Sequence, residues 1–258
     1  MTAATDHHVR QSRRWLAGVP FGRLVRIHLR IWWAQRALTV GAAVTCLLGL
    51  VGAVVAVATL SGSVSEGTAG QRLDYSAQFS VLVWLGLGVF AGSAPFRSRW
   101  AVLVLTVAPR RMWWLGACYA SALIWALAVT AGFAALTWIG VVITLAGNGW
   151  LVAAGSGLGG WLGQVLLGVL VNVTVGFFLG AAIRASAVTL VAVYVVIPTA
   201  LAGAGEAGQW FDFTAAWGAV SHLAVTPSSV APVVFALLLW IVGPAALAAA
   251  RLRRAVAQ

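Results

Sequence analysis

The stretch that decides the fold runs from Arg111 to Arg184: RMWWLGACYASALIWALAVTAGFAALTWIGVVITLAGNGWLVAAGSGLGGWLGQVLLGVLVNVTVGFFLGAAIR. Between its two flanking arginines it holds no Asp, Glu, Lys, Arg or His. A soluble domain carries about 25% charged residues, so a run this apolar cannot face water. One bilayer-crossing helix takes about 20 apolar residues, and this run is too long for one helix. Turn signals divide it at Gly147-Asn148-Gly149 and again at Gly155-Ser156-Gly157-Leu158-Gly159-Gly160. It therefore reads as two spans, about Met112 to Ala146 and about Trp161 to Ile183. The first exceeds what a bilayer requires, which implies tilt, a kink or projection outward.

The rest of the chain repeats the pattern. Of its 258 residues 62% are hydrophobic and 8% charged, and mean hydropathy is +0.97. That balance excludes an ordinary soluble enzyme, a disordered chain and a nucleic-acid-binding module. Further charge-free segments lie at Ala37 to Leu60, Tyr75 to Phe96, Ala187 to Gly205 (with Pro198 as a kink) and Val230 to Ala250 (with Pro232 near its start and Pro244 inside). The expected fold class is an all-α membrane protein with six transmembrane helices. Residues 1–36 read as a tail and an interfacial helix. Residues 37–258 read as the six-span domain with a short basic C-terminal tail.

In the segment 20–36, Arg23, Arg26 and Arg30 recur at helical spacing, with Leu24, Ile27, Ile31 and Trp32 on much of the remaining surface. Pro20 suits a helix start. The pattern predicts an amphipathic helix in the membrane interface, arginines toward headgroups and water. No cleavable leader pattern precedes it.

All the basic residues are Arg, which excludes a P-loop lysine or a Schiff-base lysine. With the six spans placed, fifteen of the sixteen arginines fall on one side and only Arg72 on the other, beside Glu66, Asp74, Glu206 and Asp212. The positive-inside rule makes the Arg-rich side cytoplasmic and puts both termini there, consistent with an even number of spans. The expected location is the cell membrane, multi-pass. Tryptophans cluster at both boundaries: Trp32, Trp33, Trp100, Trp113 and Trp114 inside; Trp150, Trp161, Trp210 and Trp217 outside. Each is read as an interfacial anchor.

The chemistry that is missing narrows the function. Without ionisable residues in the spans, proton-coupled carriage and intramembrane metal catalysis lack their groups. No metal site is expected. Ser156 lies in a glycine-rich turn, but no base is placed near it, and His222 stands apart in the last external loop. Cys46 and Cys118 read as small apolar fillers. No catalytic residues are assigned. A sparse polar set remains inside the spans: Gln164, Asn172 and Thr174 in the fourth, Tyr194 and Thr199 in the fifth. It reads either as interhelical hydrogen bonding or as the lining of a substrate path. Gly159-x-x-x-Gly163 and Gly176-x-x-x-Gly180 permit close helix approach without naming a partner.

The segment from Phe96 to Trp114 carries a further signal. Its apolar stretch Trp100 to Ala108 is too short to span and reads as a surface helix stopped by Pro109. A surface helix after the second span, closed by Ala108-Pro109-Arg110-Arg111, resembles the permeases of type-2 ABC exporters, which commonly read Ala-Thr-Pro-x-x-Arg there. The preceding amphipathic helix, the six spans, the long external segment before the last span and the Gly180-Ala181-Ala182-Ile183-Arg184 ending also fit that family. It often has a Glu at the start of this loop and a Gly-Thr within it; here Arg97-Ser98-Arg99-Trp100 stands without an acid. The resemblance implies the translocating subunit of an ATP-driven exporter for an amphipathic or hydrophobic substrate, working by alternating access. It implies a second copy or related permease as partner, and a separate ABC ATPase holding ATP and Mg, with no cofactor in this chain and no nucleic acid as partner. It also implies that Arg97, Arg99, Trp100, Pro109, Arg110 and Arg111 dock that ATPase. The alternative is a non-transport membrane scaffold or assembly factor. The last external segment, Glu206 to Thr226, is rich in aromatic residues and is expected to form a short helix rather than a free loop.

Overall fold

The computed structural model describes residues 20–34, 84–96, 111–147, 158–185, 205–213 and 226–254, with isolated positions between them. Its helices are α1 (Phe21–Ala34), α2 (Trp84–Phe96), α3 (Arg111–Gly147), α4 (Leu158–Ile183) and α5 (Val230–Arg254), with a 3-10 helix at Gly205–Trp210. No strand occurs among the described residues. Stretches of α3, α4 and α5 (Met112–Ile139, Trp161–Ile183 and Val230–Arg253) are each long and apolar enough to cross a bilayer. The chain is a helical membrane protein. The expected spans at Ala37 to Leu60 and Ala187 to Gly205, and the first part of the one at Tyr75 to Phe96, lie outside the described residues.

Helix α4 is the centre. In its most apolar window 56% of residues are buried inside the protein, against 22% for α5. It packs against both α3 and α5. Lipid chains are as apolar as leucine, so water expulsion does not drive these contacts; van der Waals fit does. The best fit is between α2 and α4. Gly88 and Gly92 on α2 face Gly176 and Gly180 on α4, and each takes the other helix's backbone where a side chain would stand. A Cβ on Gly88 would lie 2.6 Å from the Val173 carbonyl oxygen. One on Gly92 would overlap the Phe177 carbonyl, one on Gly176 the Leu85 carbonyl, and one on Gly180 the Val89 carbonyl. Four such approaches in one seam form a row of weak C–H···O contacts. The partner of the Gly176-x-x-x-Gly180 pattern is thus α2. A Cβ at Gly163 would meet nothing within 4 Å among the described residues, so no described helix rests on that glycine.

Helix α1 lies against α3. At 100° per residue its arginines share one side, while Val25, His28, Leu29 and Trp32 fall opposite. The structure follows that division. Trp32 is buried and His28 and Leu29 half-buried, whereas Arg23, Arg26 and Arg30 are exposed. Ile27 and Ile31 are also exposed, on a flank of their own. The apolar surface of α1 is therefore divided: one stripe meets the protein and the other is left for lipid.

Candidate functional site

The described helices converge at the end of the bundle that carries Arg184 and Arg251. Phe96 ends the described part of α2, Trp114 stands in the first turn of α3, Arg184 follows α4, and His28 reaches in from α1. Trp114 stands edge-on to His28, centroids 5.9 Å apart, and to Phe96 at 6.0 Å. The Arg184 guanidinium carbon lies over the Phe96 ring, 4.8 Å from its centroid. A cation over an aromatic face is held by the ring quadrupole, at about 0.5–2 kcal/mol.

Backbone geometry sets Arg184. Its amide donates to the Gly180 carbonyl at 2.8 Å, closing the last turn of α4. Its φ is 63°, the left-handed conformation that ends many helices and usually takes glycine. An ordinary side chain there costs about 1 kcal/mol. Arg251, from the last turns of α5, donates through Nη1 to the Ala182 carbonyl. That bond satisfies one of the carbonyls left free at the end of α4. Burial and the nearby Arg251 both hold the Arg184 guanidinium below its ordinary range.

A second pairing joins α1 to α3. The Cys118 thiol, fully buried, lies 3.3 Å from His28 Nε2. Burial pushes the His28 imidazole below its usual value of 6.5. The neutral ring is thus the form that α1 docks with. A group depressed on folding contributes stability that is present above its unfolded pKa and lost as pH falls through its folded value. Desolvation is the cause of that shift, and the arginines of α1 lie on the other side of that helix. The melting temperature of the purified protein should therefore drop between about pH 7 and about pH 5. His28→Asn should flatten that part of the profile; an unchanged slope would remove His28 as its cause.

The sequence-derived candidates divide unevenly. Arg97, Arg99, Trp100, Pro109 and Arg110 lie outside the described residues, as do Tyr194 and Thr199. Arg111 opens α3. Gln164 is half-buried on α4. Asn172 is fully buried, its amide donating to the Gly168 carbonyl at 2.8 Å, and its Oδ1 has no partner among the described residues. The Thr174 hydroxyl bonds its own helix at Leu170 and shares a 2.6 Å hydrogen bond with Tyr119 on α3. Asn172 and Thr174 are therefore engaged in helix packing.

Two sequence readings need correction in detail. Trp32, Trp114 and Trp161 are 3–5% exposed, so they are packed inside the protein and are not interfacial anchors; Trp33 and Trp113 remain exposed. Cys118 is more than an apolar filler, since His28 meets it. Periodicity could not show this, because the contact joins residues ninety positions apart. The segment before α5, Glu206 to Thr226, is structured where it is described. The 3-10 helix packs on α5, Trp240 Nε1 donates to the Phe211 carbonyl at 2.8 Å, and Phe235 meets both Trp210 and Phe211 edge-on.

No family model matches the chain, and neither a curated protein nor a solved structure matches it.

Proposed function

We propose that this chain is the membrane-spanning permease subunit of an ATP-driven exporter of the type-2 ABC class. In this reading it has six spans with both termini cytoplasmic, pairs with a second permease, and is driven by a separate ATPase. One observation carries the reading: the segment between α2 and α3 is the covalent link between two locked helix pairs. α2 is seamed to α4 through glycines, and α3 is clamped to α1 through His28 and the tryptophans. A push on residues 97–110 would be transmitted to four helices at once, because packed elements shift as units rather than deform. That is the coupling an external ATPase needs. The exposed apolar surface of α5 leaves a broad face for lipid or a second permease. The scaffold alternative draws support from Thr174, whose hydroxyl joins α4 to Tyr119 on α3, and from the Asn172 amide, which bonds its own helix at Gly168.

The test is affinity purification of the tagged full-length chain from its own cells, with bound proteins identified by mass spectrometry. The wild type should retain a P-loop ATPase with measurable ATP hydrolysis. Trp100→Ala and Arg110→Glu should insert with unchanged topology and lose that ATPase, since aromatic and arginine anchors dominate interfaces. If the arginines only meet anionic headgroups, at about 1 kcal/mol each, the ATPase stays bound in both variants and the docking assignment fails. Absence of any ATPase from the wild type favours the scaffold.

A further inference from the structure

We propose that Arg184 and Arg251 form a binding site for a phosphate oxyanion, supplied by the headgroup of an anionic membrane lipid or by free phosphate. The site stands whether or not the chain is an exporter subunit. It needs only the packed ends of α2, α4 and α5.

Among the described residues, two guanidiniums are brought together here with no carboxylate beside them. Between Asp74 and Glu206 the sequence has no acid, and after Asp212 it has none. Asp212 is held at the other end of α5. Its neighbour Phe211 bonds Trp240, which is about 16 Å along the helix axis from Arg251 at 1.5 Å per residue. Helix capping explains only part of the arrangement. Each arginine has five N–H donors, and Arg251 is seen to spend one on the Ala182 carbonyl. The Arg184 guanidinium lies over Phe96, and its buried Nε has no partner among the described residues. A guanidinium held on an aromatic face keeps its donor edge free, the edge that matches two phosphate oxygens at once. Burial and the nearby Arg251 disfavour the charge on Arg184, and an oxyanion between the two arginines would relieve that cost.

The depth is also right. Arg184 directly follows the Trp161–Ile183 span, and Arg251 stands in the last turns of α5. Each therefore lies at or near the end of a candidate span. Basic pockets between spans at this level recognise phosphate headgroups.

Three variants separate binding from structure. Arg184→Gly removes the guanidinium and places at φ 63° the residue that conformation suits, so α4 keeps its end. Arg251→Gln removes the second charge on another helix. Arg253→Gln, at an exposed arginine two residues on, is the control for general surface charge. The purified full-length protein is placed in phosphatidylcholine nanodiscs containing a minor fraction of phosphatidylglycerol, re-extracted, and its retained lipid measured by mass spectrometry. A second arm titrates inorganic phosphate into protein in pure phosphatidylcholine nanodiscs. Circular dichroism melts check folding throughout.

The wild type should enrich phosphatidylglycerol. Arg184→Gly and Arg251→Gln should each weaken that binding by about tenfold, the value of one charge-assisted hydrogen bond, while Arg253→Gln retains it. Arginine-dependent phosphate binding without lipid enrichment would make free phosphate the ligand of the same site. Equal lipid retention in all four proteins with no phosphate binding would overturn the proposal. So would a loss in Arg253→Gln as large as in the other two.

Discussion

Gly92→Ala is expected to destabilise the protein by about 3 kcal/mol or more, at or beyond the upper end of ordinary overpacking. The new methyl group would occupy the place of the Phe177 carbonyl oxygen and press on the Ala181 amide nitrogen, at 2.9 Å. These are backbone atoms of a helix, so no rotamer change relieves the overlap. The two helices must separate, and separation loses the contacts of Gly88, Gly176 and Gly180 together. The same seam predicts that Gly180→Ala is comparably harmful and that the double variant costs less than the sum, since one separation relieves both overlaps. Gly163→Ala is the control. Its Cβ would meet nothing within 4 Å among the described residues, and alanine favours a helix over glycine by about 1 kcal/mol. Unfolding of the purified protein in mixed micelles, followed by circular dichroism, should rank Gly163→Ala at or above wild type and Gly92→Ala far below. A Gly92→Ala protein as stable as wild type would mean that α2 and α4 do not cross there.

The second large effect is at Trp125. This side chain is 2% exposed on α3 and stands edge-on to the buried Trp32 of α1, centroids 6.4 Å apart. Trp125→Ala empties the space between the two helices. Truncating a buried tryptophan costs about 3–5 kcal/mol in water-soluble cores. The expected loss here is about 3 kcal/mol, because the alternative environment is lipid and the forfeited term is mainly dispersion. The indole nitrogen has no hydrogen-bond partner among the described residues. Trp125→Phe therefore removes an unsatisfied donor along with some packing, and the two partly cancel. Melts of both variants decide the matter. Phenylalanine should fall within about 1 kcal/mol of wild type and alanine well below it. If both lose the same amount, the ring contact with Trp32 does not hold α1. In the alanine variant α1 should also release Cys118, which a maleimide would then label in a Cys46→Ala background.

The chain's class was legible in its amino acids because a bilayer imposes a one-dimensional rule. Length and hydropathy locate the spans, and a charge inside one is costly wherever it points. The turns at Gly147-Asn148-Gly149 and Gly155-Ser156-Gly157 bracket α3 and α4, and the described part of the last span begins at Val230 as its composition indicates. The amphipathic α1 was legible for the same reason: arginines at helical spacing form a face whatever lies opposite.

Contacts between helices follow a different logic. A tryptophan reads alike whether it stays exposed, as Trp33 and Trp113 do, or packs inside, as Trp32 and Trp114 do. A glycine in an apolar run reads alike whether another backbone rests on it, as on Gly92, or nothing does, as at Gly163. The approach of His28 to Cys118, and of Arg184 to Phe96 and the Arg251 end of α5, joins residues far apart in the chain. The sequence by itself determined that α3, α4 and α5 carry stretches apolar enough to cross a membrane, because transfer from water to lipid depends on each segment's own composition. Which faces meet was decided only by the tertiary structure: in lipid every apolar face is equally content, and the choice rests on shape.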